Sequence, residues 1–299
     1  MNRRQFISKS AAALAIGSIA GKEMFAAEAP KSNSGRIGIQ LYSVRNNLPN
    51  DFVGTLKKLS DIGFSAVELY GFNAETVQFL NRPIKEINSL VNLGGMRISS
   101  THAGSGLLPE DTNAPAWDYW KIISNQIKSV GGEWAISASL PTRRPSSLDD
   151  YRRIAAHFNR VGDVCKRRGV RFAFHNHHEV FERIEGEVPL EFLIKNTDPE
   201  LVSYQLDMGH TVRGGGNILN LLRTYPKRFP LWHASDYHST NEAYTNLGQG
   251  SVPYKAMFEL PELVNLEQLT VEQESTEGDI FALCKIDFDF LKQFSWTRV

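Results

Sequence analysis

The 299-residue chain lacks several things, and each absence excludes a class of protein. Its two cysteines, Cys165 and Cys284, are too few for a disulfide framework, and neither stands in a CxxC metal motif; one bridge between them stays open. No run of 18 or more apolar residues occurs beyond the N-terminus, so no stable membrane anchor is expected in the body of the chain. Net charge is missing too. The 33 Lys+Arg balance 33 Asp+Glu, which argues against a nucleic-acid partner or an anionic membrane. No GxGxxG follows the first β-rich run, which leaves a dinucleotide-binding fold with little support. The glycine-rich stretch 211–217 reads as a flexible loop and not as a Walker phosphate loop. What is present is apolar material, 41% hydrophobic and 10% aromatic, enough to bury a large core. Length alone suggests two domains, but α/β barrels of this size form one.

The first residues read as an address. Arg3 and Arg4, with Phe6 two positions on, precede the small and apolar run Ala11 to Ala20, the pattern of a twin-arginine export signal. Residues 1–29 are expected to form this signal, residues 30–35 a loose linker, and 36–299 the domain, giving an exported, periplasmic protein. The signal holds Arg3, Arg4, Lys9 and Lys22 against Glu23 and Glu28, so its loss removes 4 − 2 = 2 positive charges and leaves a slightly acidic domain.

Eight β-rich runs follow, at roughly 36–44, 64–70, 96–102, 133–139, 170–175, 201–207, 229–235 and 268–274. Helical periodicity lies between them, as in Phe52, Leu56 and Leu59 before Gly63, and in Tyr151, Ile154, Ala155 and Phe158 before Gly169. Ser146 or Ser147 is the expected N-cap of the second helix, with Asp149 and Asp150 in its first turn. Eight strand–helix units predict a single (β/α)8 TIM barrel of the α/β class.

Functional side chains of such a barrel gather where its strands end. Six of the eight runs close on a titratable or metal-capable residue: Glu68; His102; His175 with His177; Asp207 with His210; His233 with Asp236; and Glu272 with Glu274. His175 and His177 fall on one face by strand alternation. Asp207 closes an apolar strand, where a carboxylate is costly unless paired or coordinated, although it also suits a helix N-cap. His233 has a competing reading as a satisfied core histidine. Trp117, Trp120, Trp134, Phe181 and Tyr237 are candidates for a sugar-stacking platform, with core packing the alternative for most of them. Arg143 and Arg144 read as a solvated loop pair.

The ordered motifs GIQLYSVR (38–45), AVELYG (66–71), SSTHAG (99–104), FHNHHE (174–179), QLDMGH (205–210), WHASD (232–236), NLGQG (246–250) and VEQE (271–274) together resemble the xylose isomerase-like barrel superfamily. That group includes sugar epimerases, inositol-pathway dehydratases and endonuclease IV. The resemblance covers roughly residues 36–295 and implies one divalent metal ion (Mn2+, Zn2+, Co2+ or Fe2+) held by His175, Asp207, His233 and Glu272. His175 stands where the epimerases of the group carry a glutamate, which marks an HNH-bearing branch and puts two-base epimerisation in doubt. The resemblance further implies Glu272 or His177 as catalytic base, with His102, His210, Glu68 and Glu274 binding a small sugar substrate. The expected activity is a metal-dependent sugar isomerase or epimerase working through an enediolate, with a keto-sugar lyase or dehydratase on the same site as the alternative. A carbohydrate-binding protein without catalysis stands behind both.

Overall fold

The computed structural model describes residues 37–71, 78–104, 116–142, 145–261, 265–275 and 278–294. The export signal, the linker and the Arg143–Arg144 pair lie outside them.

Eight parallel strands close a barrel in sequence order. They are β1 (Ile37–Gln40), β2 (Ala66–Leu69), β3 (Arg97–Ala103), β4 (Trp134–Ser137), β5 (Arg171–His175), β6 (Val202–Asp207), β7 (Leu231–Ala234) and β8 (Gln268–Val271), and β8 pairs with β1. Each predicted run coincides with one strand, the third continuing one residue further to Ala103. The first run is shorter than expected: strand geometry stops at Gln40, and Leu41–Val44 form a 3-10 turn. The Gln40 side chain causes this by accepting from the Tyr42 amide at 3.1 Å, which caps the turn.

Helices fill the outside. The first, α1 (Phe52–Ile62), is capped by the Asp51 carboxylate on Gly54 N and ends at Gly63, whose φ of 122° suits glycine. The helix before Gly169 runs Leu148–Lys166 and starts in a capping box, Ser147 accepting from Asp150 N while the Asp150 side chain accepts from Ser147 N.

The stretch 211–217 departs from the loop reading. Residues up to Arg213 belong to the helix Met208–Arg213, and Gly214 and Gly216 press on the chain before them. A Cβ on Gly214 would stand 2.6 Å from the His178 carbonyl, and one on Gly216 2.5 Å from the Phe181 ring. Glycine is needed there for close packing.

The main apolar core lies between the strands and the helices, while Trp134, Ile136, Ala173 and Leu231 form a separate cluster. Trp120, Trp134, Phe181 and Tyr237 are buried and Trp117 packs against the core, so none of the five candidate aromatics makes a stacking platform. Both cysteines are free and buried, which removes the possible bridge. Cys165 accepts from Ser124 Oγ at 3.2 Å, and burial pushes its thiol up to about 12. Among the described residues no helix is long and apolar enough to cross a membrane.

Candidate functional site at the barrel mouth

Registered partners on neighbouring parallel strands point their side chains the same way, so pairing tells which residues face the barrel axis. Gln40 pairs with Glu68 and Glu68 with Ser100; His175 pairs with Gln205, and Asp207 with His233. Polar side chains thus fill the interior toward the C-terminal ends of the strands. Each must be paired, because an unmatched polar group there is costly.

Glu68 is the hub of the lower layer. It accepts from Gln40 Nε2 at 2.9 Å, Ser100 Oγ at 2.6 Å and Gln205 Nε2 at 3.0 Å. His233 Nε2 lies 2.5 Å and His102 Nε2 2.9 Å from its Oε1. Burial alone would raise this carboxyl, but the imidazoles of His102 and His233 hold it well below the usual range. Glu68 has no exposed surface and does not reach the cavity above. Glu68 is thus turned toward His233 and His102 and away from the cavity where substrate contact was expected.

Above this layer His175, Asp207, His233 and Glu272 converge, with one potential ligand atom from each lying within 4.8 Å of the others. The N-cap reading of Asp207 holds, and it uses only one of the two carboxylate oxygens. Its Oδ1 caps the following helix, accepting from His210 N at 2.7 Å and from Ser235 Oγ at 2.8 Å. Its Oδ2 is buried with no hydrogen-bond partner, 3.9 Å from His233 Nδ1. His233 Nδ1 also lies 2.9 Å from Glu272 Oε2. An orphaned carboxylate oxygen among two imidazoles and a second carboxylate is a donor set for a divalent cation, so the group fits a metal. His233 would bind through Nδ1 while its Nε2–H donates to Glu68, the carboxylate–histidine arrangement that steadies metal sites.

The electrostatics of these four residues agree with one another. Burial and the surrounding imidazoles hold His175 well below its ordinary value, so it is neutral. Burial opposes charge on His233, but Glu68 and Glu272 outweigh it and raise it well above. Glu272, whose burial would raise it, is held low chiefly by His233. Asp207 has no close donor for Oδ2, and burial pushes its carboxyl up to about 6.

A cavity of about 490 Å³ opens over this floor, walled by Tyr42, Tyr70, His102, His177, His210 and Glu274. His177 sits past the end of β5, its ring 4.9 Å from His175 and 4.6 Å from His210. Burial, and next the charge of His210, push His177 down to about 3. His210 is raised instead: burial works against it, but Asp207 and the Glu274 contact at 3.1 Å prevail. Tyr244 Oη stands 2.7 Å from His210 Nδ1 and fixes its ring. The opposite wall is aromatic, Tyr42 on the 3-10 turn meeting Tyr70 edge-on at 5.3 Å. Tyr42 is 42% exposed, and the Arg45 guanidinium lies over its ring at 4.2 Å from the centroid.

Of the predicted site residues, then, His102, His175, His177, Asp207, His210, His233, Glu272 and Glu274 come together at the mouth, with Glu68 beneath. Asp236 does not join them. Its oxygens accept from the amides of Tyr237, Gly248, Gly250 and Val252, so it pins the NLGQG loop. Sequence reasoning missed Gln40, Gln205, Tyr42, Tyr70 and Tyr244. The signal for Gln205 was available: it lies two residues before Asp207 in an apolar strand, hence on the same inward face.

Known proteins share this framework. An inosose dehydratase from Bacillus licheniformis is 28% identical over 190 residues, covering 60% of this chain and 61% of that protein, so the chain spans less than two thirds of that relative. A sugar phosphate isomerase/epimerase from Parabacteroides distasonis superposes with a TM-score of 0.77 at 24% identity, over 88% of this chain and 96% of the other. The IOLI protein with a binding zinc atom superposes with a TM-score of 0.70 at 13% identity, over 88% of this chain and all of the other. The two superpositions speak to the fold. The model of the family described as xylose isomerase-like TIM barrel matches residues 56–274, most of the chain and seven of its eight strands, and the chain belongs to that family.

Proposed function

We propose that the protein is a metal-dependent lyase of the dehydratase kind, acting on a small keto-sugar or on a cyclic ketone such as an inosose. The observation that carries this reading is His175. It is a buried imidazole at the position where, by the family resemblance, epimerases carry a second metal-side glutamate for the opposite face of the substrate carbon. Glu274, the other carboxylate on the cavity wall, is engaged with His210. The mouth thus offers one face of the substrate a base and provides no matching carboxylate across from it among the described residues. Similarity to an inosose dehydratase supports the same choice over an epimerase.

A bound divalent cation would supply a Lewis acid toward a ketone oxygen and its neighbouring hydroxyl. The chain's own residues do the rest. Glu272 or His177 takes the proton from the carbon beside the ketone, and the C–H electron pair becomes the new double bond. His210, held by Tyr244 and Glu274, gives a proton to the β-hydroxyl, which departs as water. His102 orients a substrate hydroxyl, and Tyr42 with Tyr70 presents an aromatic face to the ring. We take the substrate to be unphosphorylated. That agrees with the proposal that residues 1–29 direct the protein out of the cytoplasm.

Proton NMR in D2O, with zinc-loaded protein and a panel of keto-sugars, keto-glycosides and inososes, tests the reading. The expected result is loss of water, or of an alcohol from a keto-glycoside, with a new unsaturated ketone. Inversion at one carbon with deuterium uptake and no loss of a leaving group would make the protein an epimerase.

A further inference from the structure

Gln205 lies wholly buried in the middle of β6, and its side-chain amide touches three members of the site. Its Nε2 donates to Glu68 Oε2 at 3.0 Å. Its Oε1 lies 2.7 Å from His102 Nε2 and 3.0 Å from His175 Nδ1. The orientation of this amide is decided by its neighbours. Turned the other way, its oxygen would face the Glu68 carboxylate and its NH2 would compete for two ring nitrogens. With Nε2 committed to Glu68, Oε1 only accepts, so the two nitrogens that face it must both carry hydrogens.

We infer that Gln205 is a positioning residue that sets the tautomers of His102 and His175 together, leaving Nε2 of His175 as its metal-binding nitrogen and Nδ1 of His102 as that ring's acceptor. The inference rests on the reading of His175, Asp207, His233 and Glu272 as a metal centre. Glu68 completes the arrangement, since it receives the Gln205 amide and His233 Nε2 on its two oxygens. One amide and one carboxylate therefore fix the proton positions of three histidine rings. The alternative for a buried glutamine is packing alone, and such a role would be indifferent to tautomer.

The test uses wild-type protein labelled with 15N-histidine and loaded with zinc. Long-range 1H–15N correlation should show His175 with a protonated Nδ1 and zinc on Nε2, and His102 with its proton on Nε2. His175 bound through Nδ1, or His102 protonated on Nδ1 alone, overturns the inference. In parallel, Gln205→Met keeps the volume and removes both hydrogen-bonding functions. Cobalt affinity measured by chelator competition should fall by about 10- to 100-fold, and the visible cobalt spectrum should change. Unchanged affinity and spectrum in a folded variant also overturn it. If the variant does not fold, the wild-type spectrum decides. Failure of wild-type protein to take up zinc or cobalt would instead defeat the metal-centre reading, and this inference with it.

Discussion

The two ends of this barrel are built from the same strands and treat charge in opposite ways. At the N-terminal base, Arg171 stacks on Trp134 at 3.9 Å and pairs with Glu267 at 2.5 Å and Glu133 at 3.3 Å, all three charged groups partly exposed. A cavity of about 900 Å³ lies beside them, larger than the one at the mouth and remote from the imidazoles. At the C-terminal mouth His233, Asp207 and Glu68 have no exposed surface and Glu272 very little. One carboxylate oxygen there has no hydrogen-bond partner. Charges in water need little from the fold, whereas desolvated charges must be matched by neighbours or by a ligand. The difference teaches that tolerated buried charge, and not cavity size, is what singles out the mouth as the candidate site.

Several changes would break or sharpen that contrast. The largest effect is expected from Glu272→Gln, which removes a metal-side carboxylate and a candidate base. Turnover in the D2O assay should fall on the order of 10³-fold, the scale of a Lewis-acid contribution of several kcal/mol. Deeper in the barrel, Leu231→Ala opens the cluster it shares with Trp134, Ile136 and Ala173. Denaturant unfolding should show a loss of about 2–5 kcal/mol, with cobalt affinity unchanged. A smaller, graded effect follows from pH. Asp207 sits at about 6 without metal and must be ionised to bind, and His233, raised well above its ordinary value, must free Nδ1. Both shifts act in one direction: affinity falls with pH already through neutrality, where His233 gains its proton, and more steeply below about pH 6, where Asp207 protonates too, at about tenfold per pH unit for each group. Chelator competition between pH 5 and 8 measures this, and affinity that rose toward acid would contradict it. The least is expected of Glu267→Gln at the base, where a partly exposed pair is worth about 0–1 kcal/mol. Thermal melting should barely move and turnover not at all.

Much of this was legible in the chain, for identifiable reasons. The eight strands show because each apolar run is short and followed by helical periodicity, and Ser147 and Gly63 mark helix ends by their own chemistry. The mouth was readable because strand ends such as Asp207 and His175 interrupt apolar runs with groups that are costly to bury. Depth was not readable. Glu68 and His102 both close strands, yet one lies a layer beneath the cavity and the other lines it, a difference set by barrel register. The exposed aromatic at the mouth is Tyr42 because Gln40 caps a turn that no periodicity announces. The glycines at 214 and 216 suggested freedom, while their actual constraint is the Phe181 ring folded over them.

The central claim is that the mouth holds one divalent cation through Asp207 and its three partners. Metal analysis after equilibration with zinc and gel filtration tests it most directly, comparing wild-type protein with Asp207→Asn. Asparagine keeps an oxygen that can cap the helix at His210 N, so the comparison isolates the orphaned Oδ2. About one zinc per chain in the wild type and a trace in the variant is the predicted result; no zinc in the wild type, or equal zinc in both, would contradict the account.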